Sequence, residues 1–398
     1  MLGVLYALFL AATVAVHWIA PQRLRGAVLL AASLLFYASA SPRHALLIVG
    51  LGLAVWLACE ALRRSELQSR RTALVAALCG LCVAVLAYFK YARFLVETVD
   101  SVRFYWQLPA LPASGLLPLT VPLGISFFTF EFIHYLVDVY RGKTAREQPH
   151  TAADFLKFAL FFPTLLAGPI KRFQQFSAAS RLLPADAAYG LGRLALGVVK
   201  KVLLADTVAG LASRLAVPDQ VTTHGLWLAT YAYALQIYLD FSGYSDMAIG
   251  AARLLGYQVP ENFNWPYLST SLPEFWRRWH ISLSTWIRDY LFIPLGGSRV
   301  AAWRNSVNLL LVMALCGLWH GPAWHFVAWG LWHGAGLAAT RLWRRRFAAP
   351  VAPSLGRRVV AGLLTFHFVC LGWVLFATPS LAAAWTAFRR MVPIFPPS

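Results

Sequence analysis

The chain is 398 residues long, 59% hydrophobic and only 13% charged, about half the charged share of an ordinary soluble domain. A soluble fold cannot bury that much apolar surface, so a soluble enzyme, a disordered tail and a secreted disulfide scaffold are excluded. The formal net charge of +19 has no soluble basic domain to sit on. It points to membrane loops and anionic headgroups rather than to nucleic acid.

Taken in chain order, apolar runs long enough to approach a bilayer crossing of ~20 residues cover 2–20, 26–40, 44–61, 72–89, 116–139, 152–169, 224–254, 305–320, 322–340 and 359–378. The first run has no basic stretch before it and no small-residue cleavage pattern after it, so it reads as a retained first helix. Residues 189–216 are apolar but carry Arg193, Lys200, Lys201, Asp206 and Arg214, which suits a helix at the interface or packed inside the protein. The prediction is an all-α polytopic membrane protein with about ten or eleven membrane helices plus interfacial or re-entrant pieces, forming one domain over 1–398.

The basic loops Arg63 to Arg71, Arg141 to Lys143 and Arg344 to Arg358 are expected on the cytoplasmic side. Counting back places the N-terminus outside, and a loop over 90–115 outside with it. Cys79 and Cys82 form a C-x-x-C inside the apolar run 73–88. There they read as packed membrane cysteines rather than as a redox pair or zinc site.

Residues 261–304 differ from the rest. A helix start is expected at Ser271, with Pro273 and Glu274 in the first turn. The following residues mix Trp276, Trp279, Ile281, Leu283 and Trp286 with Arg277, Arg278, His280 and Arg288. That mixture fits an amphipathic helix at the cytoplasmic interface, or a re-entrant piece lining a wet cavity.

Polar groups at membrane depth are costly and therefore mark candidate sites. Three clusters stand out. In Gly317-Leu318-Trp319-His320-Gly321-Pro322, two short apolar runs meet at a Gly-Pro break, and the neutral His320 imidazole suits proton abstraction from a hydroxyl. Trp324 follows directly, and His325, Trp329 and His333 share one helix face. The alternative is that these histidines only bridge helices. In Trp276-Arg277-Arg278-Trp279-His280, paired arginines between indoles suit a phosphate-bearing or adenine-bearing ligand; an interfacial anchor is the plainer reading. In 236–246, Asp240 and Asp246 share one apolar segment with Ser242 and Ser245. There a buried link between helices and a substrate role are both open. The same holds for Glu131, His134 and Asp138 on one face of 116–139. No G-x-S-x-G, H-E-x-x-H or P-loop is present, and Ser284 stands four residues after His280, so the H-x-x-x-D pattern is also missing.

The runs LQIYLDFSGYSDMAIG (235–250), PENFNWPYLSTSLPEFWRRWHISLSTWIRDYLFIPLGG (260–297) and GLWHGPAWHFVAWGLWHG (317–334) together resemble the membrane-bound O-acyltransferase superfamily. The resemblance is to its bacterial polysaccharide branch, which is typified by alginate O-acetylation. PLGISFFTFEFIHYLVDVYRG (122–142) and FFPTLLAGPIKRF (161–173) fit the same branch, so the signature region covers 120–340. The resemblance implies a ring of tilted helices, with an outer funnel and a cytoplasmic cavity meeting near His320 and with His280 as the second family histidine. It implies an acyl thioester donor on the cytoplasmic side, acetyl-CoA first and an acyl carrier protein second, and no metal. The acceptor it implies is a hydroxyl of an exopolysaccharide, or a periplasmic partner protein that completes the transfer. The implied location is the bacterial inner membrane. Trp276, Arg277, Arg278, Trp279, Asp240 and Trp324 are the expected substrate-binding residues. Transfer of D-alanine to a teichoic acid-type polymer is the neighbouring alternative. A transporter or flippase without chemistry, or a structural subunit of an export complex, is the alternative of another class.

Overall fold

A computed structural model describes residues 2–111, 117–118, 120–143, 151–176, 181–347 and 354–392. The helices follow one another as α1 (Leu2–Ile19), α2 (Gln22–Ala40), α3 (Pro42–Arg64), α4 (Gln68–Leu86), α5 (Ala92–Tyr105), α6 (Ile125–Tyr140), α7 (Ala152–Ala159) and α8 (Pro184–Val198). Then come α9 (Asp206–Ala212), α10 (Thr223–Leu254), α11 (Leu272–Arg278), α12 (Ile281–Ile287), α13 (Ala302–His320), α14 (Trp324–Arg346), α15 (Leu355–Ala377) and α16 (Leu381–Met391). Two compact units form, one from residues 1–194 and 247–260, the other from 195–246 and 261–398.

The first unit packs α3 and α6 around Ile48, Val55, Phe132 and Tyr135, with Phe155 and Phe158 of α7 beside them. Gly52 on α3 packs tightly, since a Cβ there would stand 3.0 Å from the Leu156 side chain and 3.4 Å from the Phe132 ring. Ser41 accepts from the His44 N–H at the start of α3, with Pro42 as first helical residue. Thr151 and Asp154 cap each other at the start of α7, through Asp154 N to Thr151 Oγ1 at 3.1 Å and Thr151 N to Asp154 Oδ2 at 3.2 Å.

Three expectations change here. The run 152–169 is not one crossing: α7 has eight residues and rises only ~12 Å against a ~30 Å hydrocarbon core. Past it, Pro163 sits in a single 3-10 turn, Phe162–Thr164, and the chain folds back into the core. Of the expected helix 116–139, residues 116 and 119 lie outside the described residues, and α6 starts at Ile125, after Gly124 with φ +69°, where a Cβ would lie 2.8 Å from the Leu165 carbonyl. The expected loop 90–115 is instead helical to Tyr105: a π-helical turn, Ala87–Tyr91, joins α4 to α5 in a continuous 38-residue helix.

Four helical stretches among the described residues are long and apolar enough to cross a membrane: Gln22–Ala40, Pro42–Arg64, Gln68–Tyr105 and Leu355–Ala377. The apolar helix Gly3–Ile19 is shorter. Helices α10, α13 and α14 have 32, 19 and 23 residues and so have the length, but they carry polar residues among their apolar ones.

The first unit also holds a buried polar cluster. Lys171 Nζ donates to Glu131 Oε1 at 2.6 Å, both side chains being almost fully buried. Its ammonium stands 4.7 Å from the Phe158 ring centroid and within about 6 Å of Phe161 and Phe176. Gln174 donates to Asp138 at 2.8 Å, and the Phe173 N–H to His134 Nε2 at 3.3 Å. Glu131, His134 and Asp138 thus link α6 to the segment 171–174. Of their two readings, this is the buried link.

Candidate active site

The site lies wholly in the second unit, where α13 and α14 meet backbone to backbone. A Cβ at Gly317 would fall 2.0 Å from the Phe326 carbonyl oxygen, and one at Gly330 would fall 2.1 Å from that of Met313. Only glycine permits that approach. The break expected after His320 is present: His320 ends α13, Gly321 is extended, and α14 starts at Trp324. Gly321 keeps this turn tight, since a Cβ would meet the Phe326 ring at 2.2 Å.

The half-buried His320 ring is boxed by aromatic rings. Trp329 stands edge-on at 5.1 Å and 89°, and Phe376 of α15 at 5.1 Å and 77°. Such edge-to-face packing fixes a ring's plane at a modest gain per pair.

The segment 271–292 is not one amphipathic helix. It forms two seven-residue helices, α11 and α12, and a π-helical turn, Arg288–Phe292. The start at Ser271 is as expected, but the Ser271 side chain caps nothing. Glu274 instead reaches back to the residue before Ser271, accepting from Thr270 N and Oγ1 at 2.9 Å each. Burial works against the Glu274 charge, yet those hydrogen bonds and the guanidiniums of Arg278 and Arg277 outweigh it and hold the carboxyl below its usual range. The helix breaks because residues 262–264 pair with the junction. Asn264 N donates to Arg278 O and Ile281 N to Asn262 O, both at 2.9 Å. His280 takes a left-handed backbone at φ +42°, a conformation that a residue with a side chain holds only when its surroundings enforce it.

The structure brings some of the expected residues together. His280 is 1% exposed, with Phe241 of α10 edge-on at 4.6 Å and Trp319 at 6.1 Å. His320 is close enough to act on it electrostatically. Its Nδ1 faces Asn262 Oδ1 at 3.3 Å, while Nε2 is buried without a hydrogen-bond partner. Trp276 and Trp279 are buried in the same aromatic group: Trp276 contacts Trp329 at 5.8 Å, and Trp279 contacts Trp373 at 5.0 Å. The two arginines part company, since Arg277 is exposed while Arg278 pairs with Glu274 at 2.8 Å.

Other candidates stand apart. Asp240 pairs with Lys201 at 2.6 Å, and Asp246 with Lys200 at 2.6 Å. Gly243, midway between the two acids, lets α10 approach 195–201 so closely that a Cβ would lie 2.8 Å from the Gly197 carbonyl. The π-helical turn Val199–Ala205 carries both lysines, so the two ion pairs tie it to α10. Trp324 is about half exposed at the start of α14. His325 Nδ1 bonds the Leu375 carbonyl at 3.1 Å, a bridge between helices, whereas His333 is fully buried among Phe275, Trp276 and Trp329.

Sequence reasoning did not single out Asn262, Ser282, Trp373 or Phe376. Asn262 lies eighteen and twenty residues from the His280 and Ser282 that it touches, a separation no helical or strand period marks. Trp373 and Phe376 read as ordinary residues of an apolar helix.

A cavity of about 150 Å³ opens in the same unit. Leu309, Val312, Met313 and Cys316 form its α13 wall, with Trp276 opposite and Arg288 at its edge. The α13 wall runs ~10 Å from Leu309 to Cys316 and stops one helical turn before His320. Among the described residues, no group of three or more His, Cys, Asp and Glu side chains converges as a metal site.

The sequence pattern of the membrane-bound O-acyltransferase family matches residues 76–378. The chain is 40% identical over 395 residues to the probable alginate O-acetylase of Pseudomonas aeruginosa, which covers 96% of this chain and 73% of that protein. It is 34% identical over 400 residues to the peptidoglycan O-acetyltransferase of Helicobacter pylori, covering 92% and 73%. It is 30% identical over 333 residues to the teichoic acid D-alanyltransferase of Streptococcus thermophilus, covering 74% and 80%. An all-helical membrane chain with these matches is an acyltransferase, and it belongs to the membrane-bound O-acyltransferase family.

Proposed function

We propose that this protein takes an acetyl group from a cytoplasmic thioester and passes it, across the bacterial inner membrane, to a hydroxyl of a cell-surface polysaccharide or of a periplasmic partner. The observation that carries the reading is the pair of imidazoles. His280 and His320 come from separate elements, both rings pack against Trp319 with centroids 6.1 and 4.8 Å away, and His280 presents an unpartnered Nε2 in an aromatic enclosure.

In this reading, His320 is the general base. It takes the proton of the acceptor hydroxyl as the oxygen forms its bond to the thioester carbonyl carbon. The C–S bond then breaks, and the proton passes to the departing sulfur. Ester formation from a thioester is not steeply uphill, so catalysis needs proximity and proton transfer. His280 accepts a hydrogen bond at its unpartnered Nε2 from a hydroxyl or N–H of the bound substrates and orients them beside His320. The α13 wall of the cavity, which stops at Cys316 one helical turn before His320, supports a donor path along that helix. Exposed Arg288, Arg299 and Arg304, with Arg344 to Arg346, crowd the starts and ends of the elements around it and favour a phosphate-bearing donor. Arg277 is the exposed member of the motif and the better candidate for contact with the donor.

Acetyl is preferred over D-alanyl because identity is higher, and extends over more of the chain, with the two O-acetylating relatives than with the D-alanyltransferase. The test uses the full chain in sealed vesicles of known orientation. Labelled acetyl-CoA or D-alanyl carrier protein is supplied on one face; alginate, peptidoglycan fragments or teichoic acid is supplied on the other. Label on a glycan hydroxyl only when acetyl-CoA is on the cytoplasmic face supports the reading. Label that requires the carrier protein overturns the acetyl assignment, and label on the donor face overturns the direction.

A further inference from the structure

We infer that Asn262 is a positioning residue that fixes the tautomer of His280, keeping its proton on Nδ1 and leaving a bare Nε2 for the reacting groups; the inference rests on the role of His280 proposed above. Asn262 is completely buried. Its backbone carbonyl and the neighbouring Asn264 N–H clamp the chain on both sides of His280, which offsets the cost of the left-handed residue.

The side-chain amide has one orientation. The Ser282 backbone N–H, which can only donate, lies 3.4 Å from the same Asn262 atom that receives the Ser282 hydroxyl at 2.6 Å. That atom is therefore the carbonyl Oδ1. Nδ2 then donates to Ser245 Oγ of α10 at 3.1 Å. A carbonyl oxygen only accepts, so the His280 Nδ1 that faces it at 3.3 Å is the N–H nitrogen. Nε2 carries the lone pair, buried and without a hydrogen-bond partner. The packed rings of Phe241 and Trp319 offer His280 no competing acceptor. The titratable groups around it are His320 on α13 and, immediately after Ser245 on α10, the Asp246–Lys200 pair.

The experiment measures kcat, donor KM and the pH profile of Asn262→Leu, Asn262→Asp and His280→Ala in the full-length protein. Asn262→Leu removes the acceptor, and kcat is expected to fall roughly 10- to 100-fold with donor KM within about threefold, as for other residues that orient a working imidazole. Asn262→Asp keeps the acceptor and adds a negative charge that favours the imidazolium. It is expected to keep kcat within about tenfold while the acid limb of the profile moves to higher pH. A residue that merely packs would not move that limb. An unchanged kcat in Asn262→Leu, or an unmoved acid limb in Asn262→Asp, overturns the inference; if the leucine variant fails to accumulate, the aspartate variant decides alone. Full activity in His280→Ala overturns the role of His280 itself. An inactive His280→Ala beside parent-like Asn262 variants overturns only the positioning.

Discussion

Two buried polar clusters sit in the two units of this chain, and they are built to opposite ends. In the first unit, Glu131 and Asp138 are closed by Lys171 and Gln174, and three phenylalanine rings surround the ammonium. In the second, Asn262 and Ser282 satisfy one side of His280 and leave its Nε2 open beside His320. A cluster closed by an ion pair fixes a fold. A cluster with one sealed, unsatisfied acceptor holds an atom ready for a substrate, at a cost that the surrounding packing must carry.

The sharpest way to break the comparison is His320→Ala. Loss of a general base costs about 10²- to 10⁴-fold in turnover, so acyl transfer should fall at least 100-fold while the amount of protein in the membrane stays at the parent level. A variant that inserts normally and still acylates its glycan would remove His320 from the chemistry. The mirror experiment is Lys171→Met, which leaves Glu131 as a buried, unpaired carboxylate. That change should destabilise by about 3–5 kcal/mol, read as a lower melting temperature in detergent, whereas Lys171→Met with Glu131→Leu should recover most of the loss. Equal stability of the single and double variants would show that the first cluster is not a closed pair.

Gly243→Ala probes the charge-paired helices between these extremes. Its Cβ would press on the Gly197 carbonyl and the Lys201 amide, so a loss of about 1–3 kcal/mol is expected, visible in thermal unfolding, with donor KM unchanged. The smallest effect separates the two arginines. Arg277→Ala should raise donor KM about tenfold, the equivalent of ~1.4 kcal/mol, with kcat little changed. Arg278→Ala removes only a partly exposed ion pair, worth up to about 1 kcal/mol, and should leave KM near the parent value. Reversal of that order in a steady-state assay would exchange their roles.

Much of the second unit was legible in the sequence. The Gly-Pro break after His320, the helix start at Ser271 and the family motifs all depend on neighbours within a few residues, so local spacing reveals them. The break after Arg278 was not legible in the segment 261–304, expected as an amphipathic helix or a re-entrant piece, because backbone pairing with residues 262–264 makes it. Asp240 and Asp246, open to either reading in the sequence, are closed by Lys201 and Lys200. Which of two adjacent arginines stays exposed was equally out of reach, since Glu274 claims only Arg278.

By itself, the sequence determined the helical membrane class and the family and pointed to His280 and His320 as candidates, because composition, apolar run length and contiguous motifs are local properties. The tertiary structure alone decided which of the helix-length runs are continuous, which buried acids are neutralised and which nitrogen of His280 is left bare. Each of those depends on partners brought together from distant parts of the chain, and a buried polar atom takes its character from the partner it meets.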